Sequence, residues 1–189
     1  FTSGQSFETH ERPSINAKIT NADVAVVEDL YNCARVMGWE VHQDKHDPIT
    51  YTFKGGVRAW LRESRLAGCT AHSKRVPRWV FSAPPHQIAQ FVGAYFDCDG
   101  FVTKRGLKFK SAKLEISSVN RLLLADIQHL LVRLGICSRI RRREGSYTYK
   151  GATRRNEYWV LYLSDLDNVA RFAQQIPLRT PKRERLQEW

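Results

Sequence analysis

The chain has 189 residues, 42% of them hydrophobic, and a formal net charge of +11. That length suits one large domain or two small ones around a shared core, with the apolar content of a globular protein. No apolar run is long enough to cross a bilayer and no signal peptide opens the chain, so the expectation is a cytoplasmic, intracellular protein with no membrane partner. Cys33, Cys69, Cys98 and Cys137 are scattered without a Cys-x-x-Cys pair, the pattern of reduced thiols and not of a structural zinc site.

The charge is uneven. Residues 1–100 hold eleven Lys/Arg and eleven Asp/Glu, residues 101–160 fourteen and four, and residues 161–189 five and four. A basic block of this kind is the electrostatic footprint of a polyanionic partner. The competing reading is a solvated face kept for solubility, which needs no such concentration.

In chain order, the first unit is "AKITNADVAVVEDLYNCARVMGWEVHQD" (17–44). It reads as a short strand, a polar cap at Thr20 or Asn21, a helix with apolar Val24, Val27, Tyr31 and Ala34, a stop at Gly38 and a second strand. His42 and His46, with Asp44 and Asp47 nearby, imitate a metal site, but the stretch reads as a solvated turn before the strand "ITYTF" (49–53). A basic, proline-flanked segment, "SKRVP" (73–77), closes this half.

Pro84 and Pro85 then suit a helix start, and Ile88, Phe91, Val92, Tyr95 and Phe96 recur at helical steps as far as Gly100. Gly93 and Ala94 are small enough to let another helix approach. The run ends in Asp97 and Asp99. A helix C-terminus already carries partial negative charge, so two carboxylates there are in conflict. A hard divalent cation such as Mg²⁺ relieves it; alternatively, one aspartate caps a loop and the other is solvated.

The second unit, "LEISSVNRLLLADIQHLLVRLGICSRIRRR" (114–143), repeats the first. Ile19 and Ile116 lie 97 residues apart, as do Gly38 and Gly135. Ser118 or Asn120 caps a helix with Leu123, Ile127, Leu130, Leu131 and Leu134 on one face, followed by "YWVLYL" (158–163) and the basic "IPLRTPKRERL" (176–186). A duplicated α+β unit is the economical reading, against a chance match of two helix-turn-strand units.

"FVGAYFDCDGFV" (91–102) resembles the motif of LAGLIDADG homing endonucleases in the intein-encoded (dodecapeptide, DOD) form. "ITNADVAVVEDL" resembles the segment after that family's first motif, and "LRESRLAGCTAHSKRVPRWVF" its linker with a Lys-x-x-Pro at Lys74–Pro77. "LLVRLGICSRI", "YWVLYLSDLDNVARFAQQIP" and "KRERL" resemble its second half. The resemblance implies an α+β, LAGLIDADG endonuclease fold: a pseudo-twofold pair of αββαββα units with saddle-shaped antiparallel sheets. It divides the chain into residues 1–83, a first half lacking its motif helix, and 84–189, a second half with motif helix 85–99.

By the same resemblance the activity is site-specific hydrolysis of double-stranded DNA with Mg²⁺ or another divalent cation. Asp99 is the metal ligand and Asp97 sits at the helix end as support. Lys74 and Lys182 are the lysines near the two half-sites, with Arg183 the rival of Lys182. The motif-helix interface is Phe91, Val92, Gly93, Ala94 and Tyr95, with Ala94 where the family usually has glycine. Strands that read a major groove carry basic side chains at alternate positions, which assigns Lys104, Lys108, Lys110, Lys113, Arg139, Arg141, Arg143, Arg154 and Arg155 to DNA.

Only one motif is present, and the chain opens on Phe1. The expectation is that Phe1 directly follows a first motif that is on another polypeptide, trimmed or lost. Without it, an apolar stripe at Phe91, Val92 and Tyr95 is expected to be exposed, and the chain alone is not expected to cleave. The alternative function is a non-cleaving nucleic-acid binder of the same fold, such as an RNA maturase or a transcription regulator.

Overall fold

The structure, a computed structural model, describes residues 17–103, 113–149 and 151–188. In chain order the elements are β1 (Lys18–Thr20), α1 (Val24–Val36), β2 (Glu40–Gln43), β3 (Thr50–Lys54), α2 (Val57–Glu63), α3 (Arg78–Phe81), α4 (Pro85–Asp99), β4 (Gly100–Val102), β5 (Leu114–Ser118), α5 (Arg121–Arg133), β6 (Arg139–Tyr149), β7 (Ala152–Leu163), α6 (Leu166–Gln175) and α7 (Lys182–Gln187). The strands pair antiparallel in two sheets, ordered β1-β3-β2 and β4-β5-β7-β6.

From α4 to α6 the order is αββαββα, and β1 to α2 repeat its last five elements. The repeat extends to hydrogen bonds. Asp23 caps α1 by accepting from Ala25 N at 3.0 Å, and Asn120 caps α5 by accepting from Leu122 N at 3.0 Å. Two residues earlier, Asn21 accepts from Asp23 N and Ser118 from Asn120 N. The first cap is therefore Asp23, with Asn21 bracing it, in place of the Thr20 or Asn21 expected. Both helices end on a left-handed glycine, Gly38 at φ +66° and Gly135 at φ +72°. In each, the next residue's N–H reaches back to a carbonyl of the last helical turns, Trp39 to Ala34 and Ile136 to Leu131.

The main core lies under the four-stranded sheet. Ile88, Val92 and Phe96 of α4 pack with Leu124, Ile127 and Leu131 of α5 against Ile116, Leu161 and Leu163. Val76, Val80 and Ala83 join this cluster, so the segment ahead of α4 packs with the second half although sequence alone groups it with the first. The first unit is held by Leu30, Ala34, Tyr51 and Val57 and by edge-on contacts of Trp39 with Phe53 and Trp60.

The expected exposed stripe on α4 differs from what is found. Val92 is 0% exposed and belongs to the core, while Phe91 and Tyr95 are half-buried against it. Gly93 faces the chain after α6, where an added Cβ would meet Pro177 O at 2.5 Å. The open side runs instead through Gln90, Ala94 and Cys98, because Ile88, Val92 and Phe96 fix the buried face at four-residue steps. Of the five interface residues, Ala94 alone is exposed.

Candidate nucleic-acid interface and active site

Helix α4 delivers both aspartates, and the structure separates them. Asp97 is buried, and its carboxylate accepts from Arg179 N at 2.9 Å, Thr180 N at 3.2 Å and Thr180 Oγ1 at 2.6 Å. It ties the start of the C-terminal segment to the motif helix. Asp99 is exposed, and its carboxylate has no hydrogen bond or ion pair among the described residues. Lys182 Nζ donates to Phe96 O at 3.0 Å and Asp97 O at 2.5 Å, placing a cation on the carbonyls of the helix end. The conflict seen in the sequence is thus relieved by backbone amides and Lys182.

Electrostatics record this arrangement. Burial pulls the Lys182 ammonium below the usual lysine range, against the opposing attraction of Asp97, Cys98 and Asp99. Burial pushes the Tyr95 hydroxyl up to about 12, with the Asp99 charge adding to it. The Cys98 thiol is raised by burial and then by Asp99.

Lys74 lies on the linker, and its ammonium is exposed and unpaired among the described residues. Its main chain is fixed by α5: Asn120 Nδ2 donates to Lys74 O at 2.6 Å. Next door, Arg75 Nε and Nη2 each donate to the Asp126 carboxylate at 2.6 Å, and Val76 N donates to it at 3.2 Å. The structure thus joins Asp97, Asp99 and Lys182 at the end of α4 and holds the main chain at Lys74–Val76 against α5 by Asn120 and Asp126. Arg183, the rival of Lys182, is exposed and reaches neither α4 carbonyl.

In the four-stranded sheet, Arg139 pairs with Tyr162, Arg141 with Val160 and Arg143 with Tyr158. Directly opposed residues share a face, so the three arginines line one side, and Arg154 joins them through its pairing with Tyr147. Arg155 pairs with Ser146 and falls on the other side, so it does not extend the row with Arg154. Arg141 stacks 4.0 Å from the Tyr162 ring centroid, and hydrogen bonding from Arg141 lowers the Tyr162 hydroxyl pKa. Lys113 and Arg143 both bind Glu115, at 2.6 and 3.1 Å. Lys104, Lys108 and Lys110 lie outside the described residues.

Three of these groups escape a reading of the sequence: Glu115, Asp126 and Arg75. The available signal was rarity, since Glu115 and Asp126 are two of only four acids in residues 101–160. In the loop with His42 and His46, Asp44 accepts from His46 N and Asp47 N, a self-contained turn.

One αββαββα unit, a five-element repeat of it, a helix ending in an aspartate and a basic antiparallel sheet define the LAGLIDADG fold. Residues 86–177 match the family model described as a LAGLIDADG-like domain. The chain superposes with a TM-score of 0.57 on a structure of mesophilic variants from the homing endonuclease I-DmoI, at 14% identity over 92% of this chain and 83% of that one, a likeness of fold. It is 35% identical over 133 residues to the probable translation initiation factor IF-2 of Thermococcus kodakarensis, covering 67% of this chain and 11% of that protein. Against elongation factor 2 of Methanopyrus kandleri it is 33% identical over 161 residues, covering 82% and 11%. Against protein RecA of Mycobacterium tuberculosis it is 22% identical over 176 residues, covering 86% and 22%. The chain therefore spans about a tenth to a fifth of the curated relatives it matches. No helix among the described residues is long and apolar enough to cross a membrane.

Proposed function

We propose that the chain is the catalytic and DNA-binding part of a site-specific, intein-associated homing endonuclease. It acts inside the cell on double-stranded DNA and is completed by a first-motif helix from outside this chain. The observation that carries the reading is the contrast at the end of α4: Asp97 is consumed by three protein donors, whereas Asp99, two residues on, offers an open carboxylate beside a basic sheet. Support for the intein association comes from the relatives, whose names denote unlike proteins while the shared stretch is a small part of each. One segment in otherwise unlike proteins is what an inserted element leaves.

The residues fit a divalent cation of the Mg²⁺ kind. Among the described residues no three His, Cys, Asp or Glu side chains gather. A hard cation shared with substrate phosphates needs only one or two carboxylates and water, and Asp99 supplies one. When bound, such an ion would stabilise charge on the phosphate oxygens and lower the pKa of water. Asp99 would hold it. Lys182, fixed on the Phe96 and Asp97 carbonyls, offsets negative charge at the helix end. Lys74, with an open ammonium, is available to orient water or a phosphate oxygen. Lys113, Arg139, Arg141, Arg143 and Arg154 would bind backbone and base edges.

A second reading, a non-cleaving nucleic-acid binder, is favoured because Asp97, the other carboxylate at this helix end, is already held by protein donors. The deciding experiment adds a LAGLIDADG first-motif segment to the chain and assays a plasmid library of randomised inserts with Mg²⁺. Cleavage that Asp99→Asn abolishes supports the nuclease. Sequence-selective binding without cleavage supports the second reading, and no binding removes both.

A further inference from the structure

The basic face of the four-stranded sheet contains one carboxylate at a described strand position, Glu115. It sits on β5 between two aromatic neighbours, Phe101 on β4 and Tyr162 on β7. On a surface that serves only to attract phosphates, a negative charge there works against binding. Its side chain is 16% exposed, and one oxygen, Oε1, accepts from both Lys113 Nζ and Arg143 Nη2. The Arg143 contact reaches across β7 from β6. Among the described residues, the other oxygen, Oε2, has no partner and Arg143 donates to protein through Nη2 alone.

This pair therefore presents a fork of donors beside a free acceptor. The major-groove edge of a G·C pair presents the complement: the guanine O6 and N7 acceptors lie beside the cytosine N4 donor. An A·T pair sets its donor between its two acceptors, and phosphates have no donor, so neither matches that order. Resting on the DNA-binding reading above, we propose that Glu115 and Arg143 act together as a specificity-determining pair that reads one G·C step of the target, with Lys113 holding the carboxylate in place.

The test is selection of bound duplexes from a randomised DNA pool, using the full chain, Glu115→Gln and Arg143→Lys, each with the added first-motif segment. Wild type should enrich a motif containing a G·C position that both variants lose, by about tenfold in preference, the size of one good base contact. Glu115→Gln should also bind bulk duplex more tightly. Its dependence of log affinity on log salt should steepen by about one, the contribution of roughly one added phosphate contact. Arg143→Lys keeps the charge and loses the fork, so it should lose the same position without that steepening. A wild-type motif that survives Glu115→Gln overturns the inference and leaves the DNA-binding reading intact, as does loss of different positions by the two variants. If Glu115→Gln fails to fold, Arg143→Lys alone decides, since an unchanged motif overturns the pairing. A wild-type chain that enriches no sequence overturns the site-specific reading and this inference together.

Discussion

The guanidinium of Arg75 donates to both oxygens of the Asp126 carboxylate at 2.6 Å, joining the linker to α5 across 51 residues of chain. Asp126 is buried and Arg75 half-exposed. Asp126→Asn should therefore cost about 1–3 kcal/mol, the value of a charge-assisted pair reduced by solvent on the arginine side. Urea unfolding should show a lower midpoint with an unchanged slope. A change under about 0.5 kcal/mol would mean that the pair does not anchor the linker.

Asp97 and Asp99 should respond in opposite ways. Asp97→Asn disturbs three hydrogen bonds, two of them from backbone amides, and should destabilise the fold by about 1–3 kcal/mol. Asp99→Asn removes an unpaired negative charge from a helix C-terminus and should leave stability unchanged or raise it by up to about 1 kcal/mol. In the nuclease assay, Asp99→Asn should lower cleavage on the order of a hundredfold or more, the scale of losing one charge-stabilising group. Thermal melts of both variants, paired with that assay, check the contrast.

Tyr95 links alkaline stability to the motif helix. Its folded pKa is raised from 10.0 to about 12, first by burial and then by Asp99. The unfolded chain thus releases this proton at lower pH than the folded one. The stability it contributes is fully present below pH 10 and is lost as the pH rises to about 12. Tyrosinate absorbance should show one late-titrating ring that Tyr95→Phe removes, and the variant's stability should fall less steeply across that interval.

Gly93 and Ala94 separate packing from exposure on adjacent residues. Gly93→Ala would drive a Cβ against Pro177 O and should cost about 1–3 kcal/mol. Ala94→Leu, on the open side of α4, should change stability of this chain by less than about 0.5 kcal/mol. If that open side receives a first-motif helix, the same Ala94→Leu should block complementation by the added segment. Melting of each variant and the complementation assay read these effects.

The parts of the fold that repeat along the chain were legible in the sequence. Local patterns specify α1, α4 and α5, the glycine stops and the alternation of Arg139, Arg141 and Arg143. The helices α2 and α3 leave no such pattern, because a seven-residue and a four-residue segment carry too few turns for a period to show. Val92 is buried where exposure was expected, since a helix with apolar residues on most of its face does not announce which neighbour it meets. Ion pairs between residues as distant as Arg75 and Asp126, or Glu115 and Arg143, depend on tertiary placement and leave no local pattern. For the same reason Lys182 could be named, yet its seat on the Phe96 and Asp97 carbonyls could not.

The anchoring of residues 74–76 has a consequence for building hybrids from two proteins of this fold. Arg75 and Val76 are clamped by Asp126, Lys74 by Asn120, and Val76, Val80 and Ala83 lie in the core built on α4 and α5. A crossover placed at the proline pair before α4 would leave this segment facing a foreign helix. One placed in the turn at Thr70–Ser73 would keep it with its own. Lys74 would then be inherited with the C-terminal parent, and its placement would follow that parent's α5.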